Sequence, residues 1–251
     1  QITILIDWKK DSGALNPMKK KIVLFLSACS ILIFAYGFRN RIQEVMSSGT
    51  SPSQIVIDIG HGGDDPGKVG INNALEKDIN LAIGNYLYDY LAAAGYTVTM
   101  TRTSDTTLAD PDASNQKLSD FKNRTALINE TGPSAVISIH QNSYPEESID
   151  GAQVFYYTNS TEGHNLAALI QKSLITIVDP TNHRTEKSNN SYYLLKNVKA
   201  PIVIVECGFL SNWEESKKLV DDTYQQKLAW AIHLGILQYL NGVNANLHIL
   251  K

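Results

Sequence analysis

The sequence predicts an α/β domain, a mostly parallel sheet of about six strands with helices on both faces, behind an N-terminal apolar helix. Three observations predict it. Short runs rich in β-branched residues alternate with amphipathic stretches of helical length. The runs are mostly apolar, as strands covered on both faces are. The 251 residues, 43% hydrophobic and 19% charged, can bury a sizeable core in one domain with an appendage.

Residues 1–17 (QITILIDWKKDSGALNP) contain no Met, whereas Met18 opens a basic-then-apolar start, so they read as an upstream extension or non-native leader. Residues 18–41 read as a membrane anchor or signal segment. Lys19, Lys20 and Lys21 precede the uncharged run 22–38, which Arg39 and Arg41 close. An uncleaved anchor is the preferred reading, because no small-x-small cleavage pattern separates the run from the domain. The rivals are a cleaved signal peptide and a lipoprotein signal at Leu26-Ser27-Ala28-Cys29. The lysines favour a cytoplasmic N-terminus and a body outside the cytoplasm; Arg39 and Arg41 weigh the other way. Residues 42–53 form a polar linker.

The domain then spans 54–242, with a tail at 243–251. A buried strand is expected at 55–59 and a helix at 77–94, its apolar face carrying Ile79, Ile83, Leu87 and Leu91, stopped by Gly95. A strand at 96–101, a polar loop at 104–116 and a helix at 117–130, ended by Gly132-Pro133, follow. Next are strands at 135–140 and 153–157 and a helix at 161–178. A polar loop (DPTNHRTEKSNNS) runs to 192–195. Strand 202–205, a short helix at 213–220 and a last helix at 223–240 complete the order. In the last, Leu228, Ala231, Ile232, Ile236 and Tyr239 share a face and Gly242 lies beyond.

The net charge of −3 conceals an asymmetry. Residues 1–41 hold seven Lys/Arg against two acids, while from Met46 onward 15 basic face 22 acidic residues. An acidic body argues against nucleic acid as a partner. Cys29 and Cys207 form neither a disulfide framework nor a Cys-X-X-Cys metal knot.

His61, His140 and Glu206 each fall at the carboxyl end of a predicted strand, where ligands gather in such sheets. Glu76 opens the first helix. Two imidazoles and a carboxylate (His61, His140 and Glu76) are a common catalytic ligand set for Zn²⁺, and Glu206 would then move protons in hydrolysis of an amide. Singly, each has a structural reading: a hydrogen-bonded strand-end His, a first-turn carboxylate favoured by the helix dipole, a buried salt-bridge partner. A Glu after four apolar residues is costly unless paired or beside a metal. His164, His183, His233 and His248 take the structural reading. Asn142 and Asn212 can be turn formers, and salt bridging is the expected role of Arg102 and Arg124.

VIDIGHGGDDPG, LEKDINL, SAVISIHQNS and PIVIVECGFLSN, in that order over about 54–241, resemble the zinc-dependent N-acetylmuramoyl-L-alanine amidases, bacterial cell-wall hydrolases. The resemblance implies a three-layer αβα fold, zinc held by His61, Glu76 and His140, and Glu206 as the catalytic residue. Asn142 and the GFLSN stretch match positions that support the site. The implied reaction cuts the amide between the lactyl group of N-acetylmuramic acid and the L-alanine of the stem peptide. A single apolar segment at 22–38 and no wall-binding repeats resemble the membrane-anchored spore-cortex amidases, whose action allows muramic lactam to form. Some clostridial relatives work with a lipoprotein partner. No inserted helix of the autoinhibited septal type is visible. Another zinc hydrolase of peptidoglycan, a deacetylase or carboxypeptidase, and a membrane-tethered wall-binding module are the competing expectations.

Overall fold

The computed structural model describes residues 53–249, with side chains through Gly242, and in addition Met18 and Leu26. The leader 1–17 and, those two positions apart, the segment 18–41 lie outside the described residues. Among the described residues no helix is long and apolar enough to cross a membrane.

The elements are β1 (Gln54–Ile59), α1 (Glu76–Ala93), β2 (Thr97–Met100), α2 (Gln116–Thr131), β3 (Ala135–Asn142), β4 (Gln153–Tyr157) and α3 (Thr161–Ser173). After them come β5 (Lys187–Asn189), α4 (Tyr193–Asn197), β6 (Ile202–Phe209), α5 (Trp213–Leu219) and α6 (Asp222–Ile249). The sheet order is β2-β1-β3-β6-β4-β5. All neighbours run parallel except β4 against β6.

Local chemistry sets the helix ends. Glu76 and Asp78 occupy the first turn of α1, where the helix dipole favours acids. Asn115 caps α2 by accepting from the Leu118 amide, and Gly132, at φ 60°, closes it in the left-handed conformation. Ser160 caps α3, and Asn212 caps α5 through the amides of Glu214 and Glu215.

Alternation along the strands divides the core. Ile55, Ile57, Ile59, Val203 and Val205 pack with α1, α3 and α6, whereas Val56, Val136, Ile202 and Ile204 pack with Ile128 of α2 and Leu194 and Leu195 of α4. Helices therefore cover both faces. All eight residues of β6 are buried, as expected of a strand at the middle of the sheet.

Several expectations need correction. β3 and β6 extend past His140 and Glu206, because Gln141, Cys207 and Phe209 are themselves buried strand positions. The polar loop before 192 contains an edge strand, β5, whose three residues Lys-Ser-Asn carry no apolar signal. The helix expected at 161–178 widens at Leu174–Val178 into a π turn, where the Asp179 amide reaches back to Leu174. The last helix continues through Gly242 to Ile249.

Gly235 marks the closest approach of α6 to α3. A Cβ there would lie 2.7 Å from the Ile170 Cα, backbone that cannot swing aside. Gly235→Ala gains about 1 kcal/mol of helix propensity but incurs an overpacking cost of about 1–3 kcal/mol. The expected outcome is a lower urea midpoint at unchanged slope; an equal or higher midpoint would show that the helices can separate freely.

Candidate active site

The site forms where β1, β3 and β6 approach the N-terminus of α1. β1 is followed by Gly60, whose amide donates to the Ile139 carbonyl (3.2 Å). Any side chain at Gly60 would collide with the His140 ring. The chain then turns through His61 (φ 63°), Gly62 (φ 139°) and Gly63 (φ 59°). A left-handed histidine costs of order 1–3 kcal/mol, and the surroundings over-determine it. His61 Nδ1 bonds Asp65 Oδ2 at 2.7 Å, which leaves Nε2 facing Glu76 Oε2 at 3.3 Å. A carboxylate on the far ring nitrogen is how imidazole ligands are usually oriented.

Glu76 is only 1% exposed and fully engaged. Its Oε2 accepts from the Lys68 amide (2.7 Å), and its Oε1 accepts from the Gln141 amide (3.0 Å) and faces His140 Nδ1 at 3.0 Å. Asn80 steadies the same corner, donating to the Gly60 carbonyl (3.1 Å) and accepting from Gln141 Nε2 (3.1 Å). The rings of His61 and His140 meet edge to face, centroids 5.1 Å apart. Burial alone would raise the Glu76 pKa, but the bonds to His140 and His61 reverse it and hold the carboxyl far below the usual range. For His61, burial acts to lower the pKa, and Glu76 and Asp65 outweigh it, so the ring titrates above the ordinary value.

Glu206 sits in the opposite environment. It pairs in register with His140 across β3 and β6, at a bulge that falls between His140 and Asn142. Both follow the alternation that turns Val136 and Ile204 toward α2 and α4, and both line one cavity of about 410 Å³ with His61 and Glu76. Glu206 is 9% exposed and its Oε2 has no hydrogen-bond partner. Burial pushes its carboxyl up to about 7, with His140 pulling down and Glu76 pushing up. A carboxylate near 7 is poised for proton transfer.

Structure thus brings all four sequence-predicted residues together. Donor atoms of His61, Glu76 and His140 lie within 4.8 Å of one another, a group that could hold a metal ion. Glycines form the cradle, since a Cβ at Gly67 would lie 2.6 Å from Glu76 Oε2 and 2.7 Å from the His61 ring. Two imidazoles and a buried carboxylate are a donor set whose chemistry fits zinc, and Glu206, its Oε2 without a partner, stands outside that set at the same cavity.

The model matching residues 55–238 is that of N-acetylmuramoyl-L-alanine amidase. The chain belongs to this family. It is 38% identical over 230 residues to the germination-specific N-acetylmuramoyl-L-alanine amidase of Bacillus subtilis (strain 168), covering 88% of this chain and 96% of that one. It is 39% identical to the CwlD amidase of Clostridioides difficile, solved in complex with the GerS lipoprotein, with a TM-score of 0.73 over 75% of this chain and 98% of that one. It is 30% identical to an N-acetylmuramoyl-L-alanine amidase from Clostridium difficile 630, with a TM-score of 0.69 over 76% and 98%. The protein is accordingly a peptidoglycan amidase, which sets aside the deacetylase, carboxypeptidase and binding-only expectations.

The other singled-out residues are structural. Arg124 pairs with Asp120 (3.3 Å) and Asp58 (3.5 Å), as expected of a salt-bridging arginine. Arg102 differs. Its guanidinium donates to the carbonyls of Gly60 (3.1 Å), Lys77 (2.7 Å) and Ser104 (2.9 Å), tying the residue before His61 to the residue after Glu76. His164 pairs with Glu186 (3.1 Å), His233 is buried against Tyr90 and Trp230, and His183 is exposed. The side chain of His248 lies outside the described residues. Asn142 accepts from the Ser143 amide and Asn212 caps α5. Sequence reasoning missed Asp65, Lys68 and Gln141, whose only signal is proximity to His61, Glu76 and His140 in the chain.

The shifts of His61 and Glu76 set a pH window for the protein kept metal-free. The raised His61 stabilises fully below its unfolded value of 6.5 and this is lost as pH rises through its folded value. The depressed Glu76 stabilises above 4.5 and this is lost as pH falls toward its folded value. In chelator, the thermal midpoint should decline as pH climbs from 6.5 to 8. His61→Asn should flatten that decline; a decline of equal size in the variant would assign it to other groups.

Proposed function

We propose that the chain is a zinc-dependent amidase in which His61, Glu76 and His140 hold the metal and Glu206 moves the proton. The observation that carries this reading is the pairing of two carboxylates in opposed environments at one cavity. Glu76 accepts two backbone amides, faces both imidazoles and is held ionised, and Glu206 is bare, buried and pushed up to about 7. Zinc bound there would supply a net positive charge that lowers the pKa of water from 15.7 to about 7 and polarises the amide carbonyl.

The chain's own residues do the rest. Asp65 fixes the His61 ring so that Nε2 faces inward. Gln141 and Lys68 amides hold the Glu76 carboxylate in place. Glu206 takes a proton from water in the cavity and returns it to the amine of the departing L-alanine. The walls of the cavity, including Ile204 and Leu194, keep other water away from that carboxylate.

We further propose that the substrate is cortex peptidoglycan of a developing spore, where stem-peptide removal allows muramic lactam to form. The support is the germination-specific relative, matched over most of both chains. The same reading has the domain outside the cytoplasm, tethered through residues 22–38. A lipoprotein partner is proposed on the 39% identity to an amidase solved with one.

Three measurements test these readings. Glu206→Gln should retain about one equivalent of zinc and lose amide hydrolysis by about 10²–10⁴-fold, the usual worth of a positioned general base. Retained activity would remove Glu206 from the mechanism, and activity of the native protein that survives complete chelation would remove the metal. For the cortex role, mass spectrometry of peptidoglycan from sporulating cells lacking this protein should show muramic lactam absent. An unchanged lactam content would place the enzyme on another wall.

A further inference from the structure

An amide with a sugar on one side and a peptide on the other must lie in the cleft in one of two directions. The structure distinguishes them. Two cavities meet at His61 and Lys117, which line both. The first, of about 410 Å³, contains the four site residues and is walled beyond Glu206 by Phe121, Tyr192 and Tyr193. The second, of about 350 Å³, continues past His61 on the other side and is lined by Asp64, Asp65 and Asp120 with Thr107 and Gln116.

The aromatic wall is built from two elements that fix each other. Phe121 of α2 and Tyr193 of α4 stack with their planes 13° apart and centroids 5.5 Å apart. Tyr192 is set edge to face on Phe155 of β4, centroids 5.6 Å apart. All three rings are half-buried, so each keeps some surface for a ligand. Rigid aromatic rings give large contact area at low entropic cost, and their hydroxyls can still hydrogen-bond. A pyranose ring matches such a wall, with an apolar C–H face and polar hydroxyls around its rim. A stem peptide, with its ionised groups, matches the second cavity, whose walls offer both carboxylates and the Lys117 ammonium.

We propose that the wall of Phe121, Tyr192 and Tyr193 is the glycan subsite, which places the sugar strand over α2 and α4 and sends the stem peptide past His61. This orientation rests on the reading that the amide is cut among His61, Glu76, His140 and Glu206. Its test uses the two halves of the product, which the enzyme binds and does not cleave, so a failure of the catalytic reading leaves it intact.

The full chain loaded with zinc is titrated, by saturation-transfer NMR, with a peptide-free tetrasaccharide of alternating N-acetylglucosamine and N-acetylmuramic acid, and separately with a free stem peptide beginning at L-alanine. Tyr193→Leu keeps bulk and removes the ring. It should weaken the tetrasaccharide about tenfold and leave the stem peptide unchanged, and Tyr193→Phe should restore most of the loss. Thermal melts check that each variant folds, and Tyr192→Leu serves if Tyr193→Leu does not. Unchanged tetrasaccharide binding would overturn the proposal. So would selective loss of the stem peptide, which reverses the direction, or equal loss of both, which reduces the wall to a support.

Discussion

The carboxylate of Glu76 is the point at which three segments of the chain are joined. It belongs to α1, yet it accepts from the amide of Lys68 in the turn after β1 and from the amide of Gln141 in β3, and it faces the His61 ring in that turn and the His140 ring within β3. A charge with 1% exposure would be costly without such partners. Here two backbone amides donate to its oxygens and two imidazoles face them, so burial locks the geometry. The relative positions of β1, β3 and α1 at this edge are therefore a consequence of satisfying one ion.

The turn after β1 depends on that ion and returns the constraint to it. His61 holds a left-handed conformation that a histidine seldom takes, in a run whose next two residues are glycines at positive φ. Arg102 grips the carbonyls on either side of the pair, and Lys77 holds the Gly63 carbonyl (2.8 Å) and Asp105 (2.7 Å). Asp105 in turn accepts from the Gly63 amide (2.8 Å). Backbone carbonyls in a strained turn thus find cations from two other segments. The arginine's wide fork spans Gly60 and Lys77 together, which a point-like ammonium could not.

Much of this was legible in the chain, and what was not has physical reasons. Apolar runs of β-branched residues revealed β1, β3, β4 and β6, because central strands carry their burial in their composition. β5 is short, polar and at an edge, so it has no such signature. His140 and Glu206 looked like strand ends because polarity begins there, but the strands continue: a buried Gln141 finds its partner in Asn80, and Cys207 and Phe209 are core. The four site residues were visible as polar groups closing apolar runs or opening a helix. Asp65 was not singled out and Arg102 was read as a salt-bridging cation, whereas it donates to backbone carbonyls; an exposed-looking Asp and an Arg after a strand have too many ordinary uses. Only the fold shows which partner each one found.

Register separates the two carboxylates into different tasks. β6 brings Glu206 opposite His140, on the sheet face that Ile204 shares with α2 and α4, while Glu76 enters from a helix on the other face. A slip of one residue in β6 would turn Glu206 onto the other face, into the core at the level of Ile139 and Ile59, and leave Cys207 or Val205 in the cavity. Because β6 is buried along its whole length and paired on both sides, such a slip would also exchange its two apolar faces, and the core opposes it. Donors cluster on Glu76 and are absent from Glu206 Oε2, so one carboxyl is kept ionised and the other can change state near neutral pH. The packing that makes the sheet therefore also sets a carboxyl that can change state and one held ionised around the same cavity without a shared set of donors.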